Sequence, residues 1–221
     1  MAGQRVGIVG LGGTGAYVLD LVAKTAAREI RLFDGDVFSQ HNAFRAPGAP
    51  TVEQLAAKPK KVAHFAQVYA AMRDGVVPHD TFVNGDNASL LDGLDFVFLC
   101  MDGSPAKRDI VAALERASTP FVDAGMGLLL GDDDRIGGLV RVTTSRPSSR
   151  GAASRHISFA DVNGMGGEYS TNIQVAELNA LNAALAVVSW KKLFGFYQAS
   201  SEEVYSGFSI RTGALVTEGA E

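Results

Sequence analysis

Residues 5–45 read RVGIVGLGGTGAYVLDLVAKTAAREIRLFDGDVFSQHNAFR, and this stretch decides the fold. A short apolar run, Val6 to Val9, ends in Gly10-Leu11-Gly12-Gly13-Thr14-Gly15. A helical pattern follows, then a second apolar run, Ile30 to Phe33, that ends at Asp34. Strand, glycine-rich turn, helix and acid-tipped strand are the parts of a nucleotide site. Glycines let the backbone turn tightly and approach a phosphate, and the amides at the helix start face negative charge. Asp34 lies nineteen residues after Gly15, where a carboxylate can accept hydrogen bonds from a ribose. Taken alone, this pattern fits NAD, FAD, S-adenosylmethionine or ATP.

The rest of the chain narrows the class. Its 221 residues suit one domain with an extension, and 47% apolar residues are ample for a core. A formal charge of −4 without a basic block does not favour nucleic acid. No apolar run approaches the roughly 20 residues that span a bilayer. The start, MAGQRVGIVG, lacks a signal-peptide layout, so a cytoplasmic protein is the expectation. Cys100 is the single cysteine, which excludes an internal disulfide and a multi-cysteine zinc site.

Strands and helices alternate through the first 125 residues, which predicts a Rossmann-like α/β fold with a doubly wound, mostly parallel sheet. Thr51 is placed to cap a short helix, and Lys60 to Met72 carries an apolar stripe. Val76 to Val83 reads as a strand broken by Pro78. The continuous run Leu94 to Met101 reads as a central strand, with Asp102 at its end. Ser104-Pro105 opens the next helix, and Pro120 to Ala124 is a short strand that ends before Gly125-Met126-Gly127. Gly137 to Thr144 alternates like a strand. Tyr169 to Leu193 is apolar around most of its circumference, as a helix buried partly against another subunit would be. Val204 to Ile210 and Ala214 to Thr217 form an antiparallel hairpin. The expected organisation is one domain: a nucleotide-binding core over 1–127, and a partner- and dimer-forming extension over 128–221 with a mobile loop near 145–167, where NGMGG at 163–167 is a flexible point. Asp132-Asp133-Asp134 reads as an exposed acidic turn.

Ligands of open parallel sheets sit beyond the C-terminal strand ends. Asp34, Asp36 and Asp102 lie at or just after such ends, and a plain dinucleotide dehydrogenase needs only the first. Two further carboxylates beside a nucleotide point to magnesium, which prefers oxygen ligands and bridges phosphates. Arg45 and Lys60 supply positive charge for a triphosphate. Lys58, Lys61 and Lys107 are expected on solvated faces, and Cys100 in the core.

Taken together, these residues resemble the ThiF/MoeB/HesA superfamily, whose adenylating domain is shared with ubiquitin-activating enzymes. The turn Gly10, Gly12, Gly13, Gly15 resembles the family's GxGGxG, and Asp34-Gly35-Asp36 its D-x-D. Asn42 and Arg45, eight and eleven residues after Asp34, resemble its N-x-x-R. Ala57-Lys58-Pro59-Lys60 resembles its G-K-P-K, and Asp102 its metal-binding Asp. The resemblance implies ATP and Mg2+ as cofactors, with Asp34 on the ribose, Asn42, Arg45 and Lys60 on the phosphates, Asp102 on the metal and His41 in the phosphate loop. Arg45, Lys60 and Asp102 would be the catalytic set. The implied reaction is attack by the C-terminal carboxylate of a ubiquitin-like or sulfur-carrier protein, ending in glycine, on the α-phosphate of ATP. A homodimer and a downstream conjugating enzyme are implied as further partners. The chain departs from the family pattern in having no CxxC pairs, no cysteine after Asp102, Ala46 where the family has Gln, and no N-terminal helix with an extra arginine. A NAD-dependent oxidoreductase and a non-catalytic scaffold for a ubiquitin-like protein are the competing readings.

Overall fold

Along the first strand, β1 (Arg5–Val9), Val6 and Ile8 enter one apolar cluster and Val9 enters another. This two-residue alternation, with both faces covered, defines a sheet with a helix layer on each side. The computed structural model describes residues 2–131, 134–159 and 175–220. The other strands are β2 (Glu29–Phe33), β3 (Val76–His79), β4 (Phe96–Leu99), β5 (Phe121–Leu130), β6 (Ile136–Ser145), β7 (Glu203–Ser209) and β8 (Leu215–Gly219). They form one eight-stranded sheet in the order β3-β2-β1-β4-β5-β6-β7-β8. The first five pair in parallel; β5 to β8 pair antiparallel. The chain winds outward from β1 to β3, returns, and continues outward from β4. The switch point therefore falls between β1 and β4, where the glycine turn lies against Cys100 at the end of β4.

One face is covered by α1 (Gly13–Ala23), α4 (Lys61–Ala70) and α7 (Ala176–Leu193). The short helices α2 (Gln40–Ala43) and α3 (Val52–Ala56) lie between β2 and α4 in the chain. The other face is covered by α5 (Pro105–Arg116), together with Leu91 from a 3₁₀ turn over Ala88–Leu91 and Ile157, which follows α6 (Arg150–Ala153). Trp190 of α7 is fully buried, with its ring centroid 5.8 Å from Phe98 and 6.2 Å from Phe96. Below the sheet's midline these three rings anchor α7. Each contributes on the order of 2–3 kcal/mol by removal from water.

Helix starts follow the sequence. Ser104 Oγ accepts from Lys107 N at 3.2 Å and Pro105 takes the first helical position. Thr51 Oγ1 accepts from Gln54 N while Gln54 Oε1 accepts from Thr51 N. The closing hairpin forms as expected, with Gly213 at φ 67 in its turn.

Several expectations need correction. Pro78 does not break its strand: β3 is the sheet edge, where a missing N–H costs no ladder bond. β5 does not stop at Ala124 but runs through Gly125 and Gly127 to Leu130, because β6 pairs with it over its whole length. Residues 146–154, expected within a loop, hold a turn and α6. Ala153 is fully buried, Arg146 pairs with Glu202, and Ser148 donates to Glu202 at 2.8 Å. The long helix is described from Ala176; residues 160–174, including the flexible point expected at 163–167, lie outside the described residues, as do Asp132 and Asp133. Its buried face is more polar than expected, since Asn179, Asn182 and Ser189 are buried there. Lys61 and Lys107, expected in solvent, are 6% and 1% exposed. No helix among the described residues is long and apolar enough to cross a membrane.

Truncating Phe98 to Ala should remove about 3–5 kcal/mol of stability by leaving a cavity against Trp190. Urea unfolding read by far-UV circular dichroism, beside the fluorescence of this single tryptophan, measures it.

Candidate nucleotide site

The four turn glycines have different physical reasons. Gly10 sits at φ 88, and a Cβ there would stand 2.5 Å from the Cys100 carbonyl oxygen. A Cβ on Gly15 would overlap the Gly10 carbonyl, so this glycine permits close packing of α1 on β1. One on Gly13 would lie 2.5 Å from the Asn179 amide. Asn179 accepts from Thr14 Oγ1 at 2.9 Å and donates to Val175 O, so α7 supports the turn from behind. Gly12, at the N-cap of α1, is different: a Cβ there would meet nothing within 4 Å. It faces open space at the start of an 11-residue helix, the place where an anion is favoured.

Asp34 is 5% exposed. Its Oδ2 accepts from Leu11 N at 2.7 Å and its Oδ1 from Asp36 N at 2.8 Å. Lys61 Nζ stands 3.4 Å from Asp34 and 2.8 Å from Asp36. The carboxylate thus ties the glycine turn to the end of β2 and the start of α4. One antiparallel Val37–Lys60 bridge, made by Phe38 N to Pro59 O at 2.7 Å and Lys61 N to Asp36 O at 2.9 Å, closes the base of the segment between them. Phe38 is buried, stacked on His64 at 4.1 Å.

From this base projects an open cleft of about 550 Å³, lined by Gly35, Asp36, Val37, Ser39, His41, Asn42, Arg45 and Lys61. Asn42 is buried and its Oδ1 accepts from Ser39 N and Ser39 Oγ, which rigidifies α2. Among the described residues Arg45 Nε is buried without a hydrogen-bond partner, an unanswered donor on a cationic group. Such a group is costly unless an anion completes it. His41 Nδ1 lies 2.8 Å from Ser39 Oγ. Burial lowers the His41 pKa, Arg45 and Lys61 lower it further, and Asp36 opposes them.

The structure brings together Asp34, Asp36, His41, Asn42 and Arg45 from the expected set. It does not bring Lys60 into the cleft lining. Lys60 Nζ is engaged by Gly35 O at 2.8 Å and Asp80 at 3.1 Å, and Lys61 takes the inner place. Helical spacing carried the missing signal, since Lys61 lies four residues before Phe65 on the buried stripe of α4. Lys107 likewise precedes Ile110 and Val111 by three and four, and its Nζ is 2.5 Å from the fully buried Asp123. Asp102 is exposed just beyond β4, outside the cleft lining. Among the described residues no group of three or more His, Cys, Asp or Glu is gathered to hold a metal. Magnesium carried on phosphates needs only one or two carboxylates, and the exposed carboxylate of Asp102 is of that donor type, whereas Asp36 is paired with Lys61. Burial and the charge of Asp123 push the Cys100 thiol well above its ordinary pKa.

A doubly wound sheet with an open glycine turn, a buried strand-end acid and a cationic cleft beside it defines a nucleotide-binding protein. Residues 1–162 match the model of the ThiF family, and the chain belongs to that family. It is 28% identical over 119 residues to tRNA threonylcarbamoyladenosine dehydratase 2 of Saccharomyces cerevisiae, covering 50% of this chain and 26% of the relative. Its fold is similar to that of PaaA, with a TM-score of 0.74 at 17% identity, over 98% of this chain and 64% of the other. E. coli MccB, solved with ATP, gives a TM-score of 0.70 at 16% identity, again over 98% and 64%. The chain therefore spans about a quarter of the curated relative and somewhat under two thirds of these solved chains.

Replacing Gly12 by Ala should leave the thermal midpoint within about 1 °C, because nothing occupies that space, yet weaken Mg-ATP binding. Gly15→Ala should instead lower the midpoint by several degrees. Differential scanning fluorimetry with and without Mg-ATP separates the two effects.

Proposed function

We propose that this chain uses Mg-ATP to adenylate the C-terminal carboxylate of a polypeptide, with a glycine-ended ubiquitin-like or sulfur-carrier protein as substrate. The observation that carries this reading is the cleft lined by Arg45, with its Nε unpartnered among the described residues, and by Lys61, whose partner Asp34 accepts from Leu11 N of the glycine turn. These are the groups that a polyphosphate recruits. MccB, of similar fold, has been solved with ATP and with MccA, which supports a nucleotide and a peptide as the two reactants.

In the proposed reaction a carboxylate oxygen forms a bond to the α-phosphorus, the bond from that phosphorus to the bridging oxygen breaks, and pyrophosphate leaves with the electron pair. Catalysis is then alignment and charge neutralisation. Arg45 and Lys61 hold the departing phosphates, Asn42 keeps α2 and hence Arg45 in place, and the amides at Gly12 and Gly13 face the phosphate chain. Asp34 orients the turn and can also accept from the ribose. Asp102 is the residue to hold magnesium, whose chemistry is neutralisation of phosphate oxygens. Lys61 replaces Lys60 as the phosphate lysine in this reading. Cys100, buried and with its thiol pKa raised, is not suited to carry a thioester, so acyl transfer would use a group other than Cys100. A homodimer formed through α7 and transfer to a conjugating enzyme remain part of the proposal. The relative that acts on tRNA argues for a nucleic-acid substrate; the chain's net charge of −4 argues against one.

ATP–pyrophosphate exchange that depends on a polypeptide ending in two glycines tests the reading. Absence of exchange together with absence of stabilisation by Mg-ATP would overturn it, and stabilisation by NAD(H) instead would favour the oxidoreductase. Partner binding without exchange would favour the scaffold. Arg45→Ala and Lys61→Ala should each lower exchange by about 10²–10³-fold, whereas Lys60→Ala should stay within a fewfold.

His41 supplies a second check. Its pKa lies below the ordinary histidine value, in part because two cations face it. Phosphate charge neutralises Arg45 and Lys61, so nucleotide binding should raise that pKa. Since affinity and protonation are linked, binding should take up a fraction of a proton near pH 6 and strengthen as pH falls toward that region. An NMR titration of the His41 ring with and without AMP-PCP reads the shift; an unchanged or lowered pKa would place the phosphates elsewhere.

A further inference from the structure

Past the end of β4 the chain makes the turn that carries Asp102. Cys100 N donates to Val9 O at 2.8 Å, and the Cys100 carbonyl lies against Gly10. From there the backbone loses this support: among the described residues, Met101, Asp102 and Gly103 make no backbone–backbone hydrogen bond. A turn without ladder or helix bonds opens easily unless side chains hold it. Lys107 holds it at both ends. Its backbone N–H donates to Ser104 Oγ at 3.2 Å, and its Nζ reaches back to Met101 O at 3.5 Å.

A buried partner fixes the reach of that side chain. Lys107 is 1% exposed and Asp123 of β5 is fully buried, with Nζ 2.5 Å from Oδ1. Burial raises the Asp123 pKa; Lys107 opposes this most strongly, and Arg141 of β6 adds to the opposition. A buried ion pair is a poor source of stability, since apolar residues of the same volume often serve as well or better. A methionine at 107 would extend the buried stripe of Ile110, Val111 and Leu114 on α5. The pair therefore calls for another reason, and the geometry supplies one. Asp123 stretches the lysine across the turn, so that the ammonium sets where Met101 O and the residue after it stand.

We infer that Lys107, anchored by Asp123, is the positioning residue for Asp102, fixing the turn so that this carboxylate meets the magnesium carried on the phosphates. The inference rests on the adenylation reading, in which Asp102 holds that ion. Buried as it is, Lys107 would touch neither nucleotide nor metal, and would act through the backbone one residue before the ligand.

The test measures AMP-PCP binding to the full chain by isothermal titration calorimetry, with excess Mg2+ and with EDTA. The wild type should bind more tightly with Mg2+. Lys107→Met combined with Asp123→Asn removes both charges and keeps the volumes, so its thermal midpoint should stay near that of the wild type. It should lose about tenfold or more of the enhancement by Mg2+, yet keep its affinity in EDTA within about twofold. A purely structural pair would change both affinities together, or neither. Asp102→Asn should lose the same enhancement, and adding it to the double variant should bring no further loss. Lys107→Arg, which keeps the cation, should keep most of the enhancement. Ser104→Ala frees only the other end of the turn at the cost of one helix cap, so it should fold and lose part of the enhancement. Full enhancement in the double variant, or in Ser104→Ala should the double variant not fold, overturns the inference. A wild type that binds AMP-PCP without regard to Mg2+ overturns the inference alone; one that binds no AMP-PCP overturns the adenylation reading with it. The expected losses without pyrophosphate exchange would uphold the positioning of Asp102 and defeat adenylation alone.

Discussion

The Asp34 carboxylate, accepting from Leu11 N–H and Asp36 N–H with Lys61 close by, is the constraint on which the site depends. It joins three pieces of chain that local structure alone would leave independent: the turn after β1, the end of β2 and the start of α4. Buried at 5% exposure, a carboxylate without these donors would be strongly disfavoured. With them it fixes the turn from one side, while Asn179 of α7 fixes it from the other. The open side that remains is that of Gly12.

Electrostatic pairing divides the charged residues into two groups. Lys61 with Asp34, and Lys107 with Asp123, are close and well buried, so breaking either pair would leave an isolated charge costing on the order of several kcal/mol. Arg45, by contrast, is a cation whose Nε is buried without a hydrogen-bond partner among the described residues, placed in the cleft proposed to hold the phosphates. Lys61 belongs to both sides, as the partner of Asp34 and as the proposed phosphate lysine, so its variants are expected to lose stability together with binding. Variants of Arg45 should lose binding before they lose structure.

The parts legible in the sequence were those whose causes are local. The strand–turn–helix–strand of residues 5–34, the Ser104-Pro105 start and the Thr51 cap each depend on residues a few positions apart. What escaped depends on distant partners. β5 continues through two glycines because β6 supplies its ladder, and Pro78 is tolerated because β3 has no outer neighbour. Lys61 and Lys107 are buried because acids 25 and 16 residues away in sequence meet them. Their charge outweighed their helical position in the sequence reading, although both stand on the apolar stripe. In the candidate site, the acid, Asn42 and Arg45 lay in the quoted stretch, but which of the neighbouring lysines lines the cleft depends on the register of α4. The placing of Arg141 over Gly125 was not legible at all, since only the antiparallel pairing sets it there.

The excursion from Val37 to Lys60 leaves and re-enters the domain through one antiparallel bridge of two backbone hydrogen bonds, with Phe38 seated in the core beneath it. Such a closed stem makes everything above it a cassette. Closure entropy grows only slowly with loop length, so residues between α2 and α3 could lengthen, shorten or be exchanged at little thermodynamic cost. Arg45 and His41 belong to the cassette, whereas Asp34 and Lys61 belong to the stem. The fold can therefore vary how it grips the distal part of a ligand while the anchoring pair at its root stays unchanged.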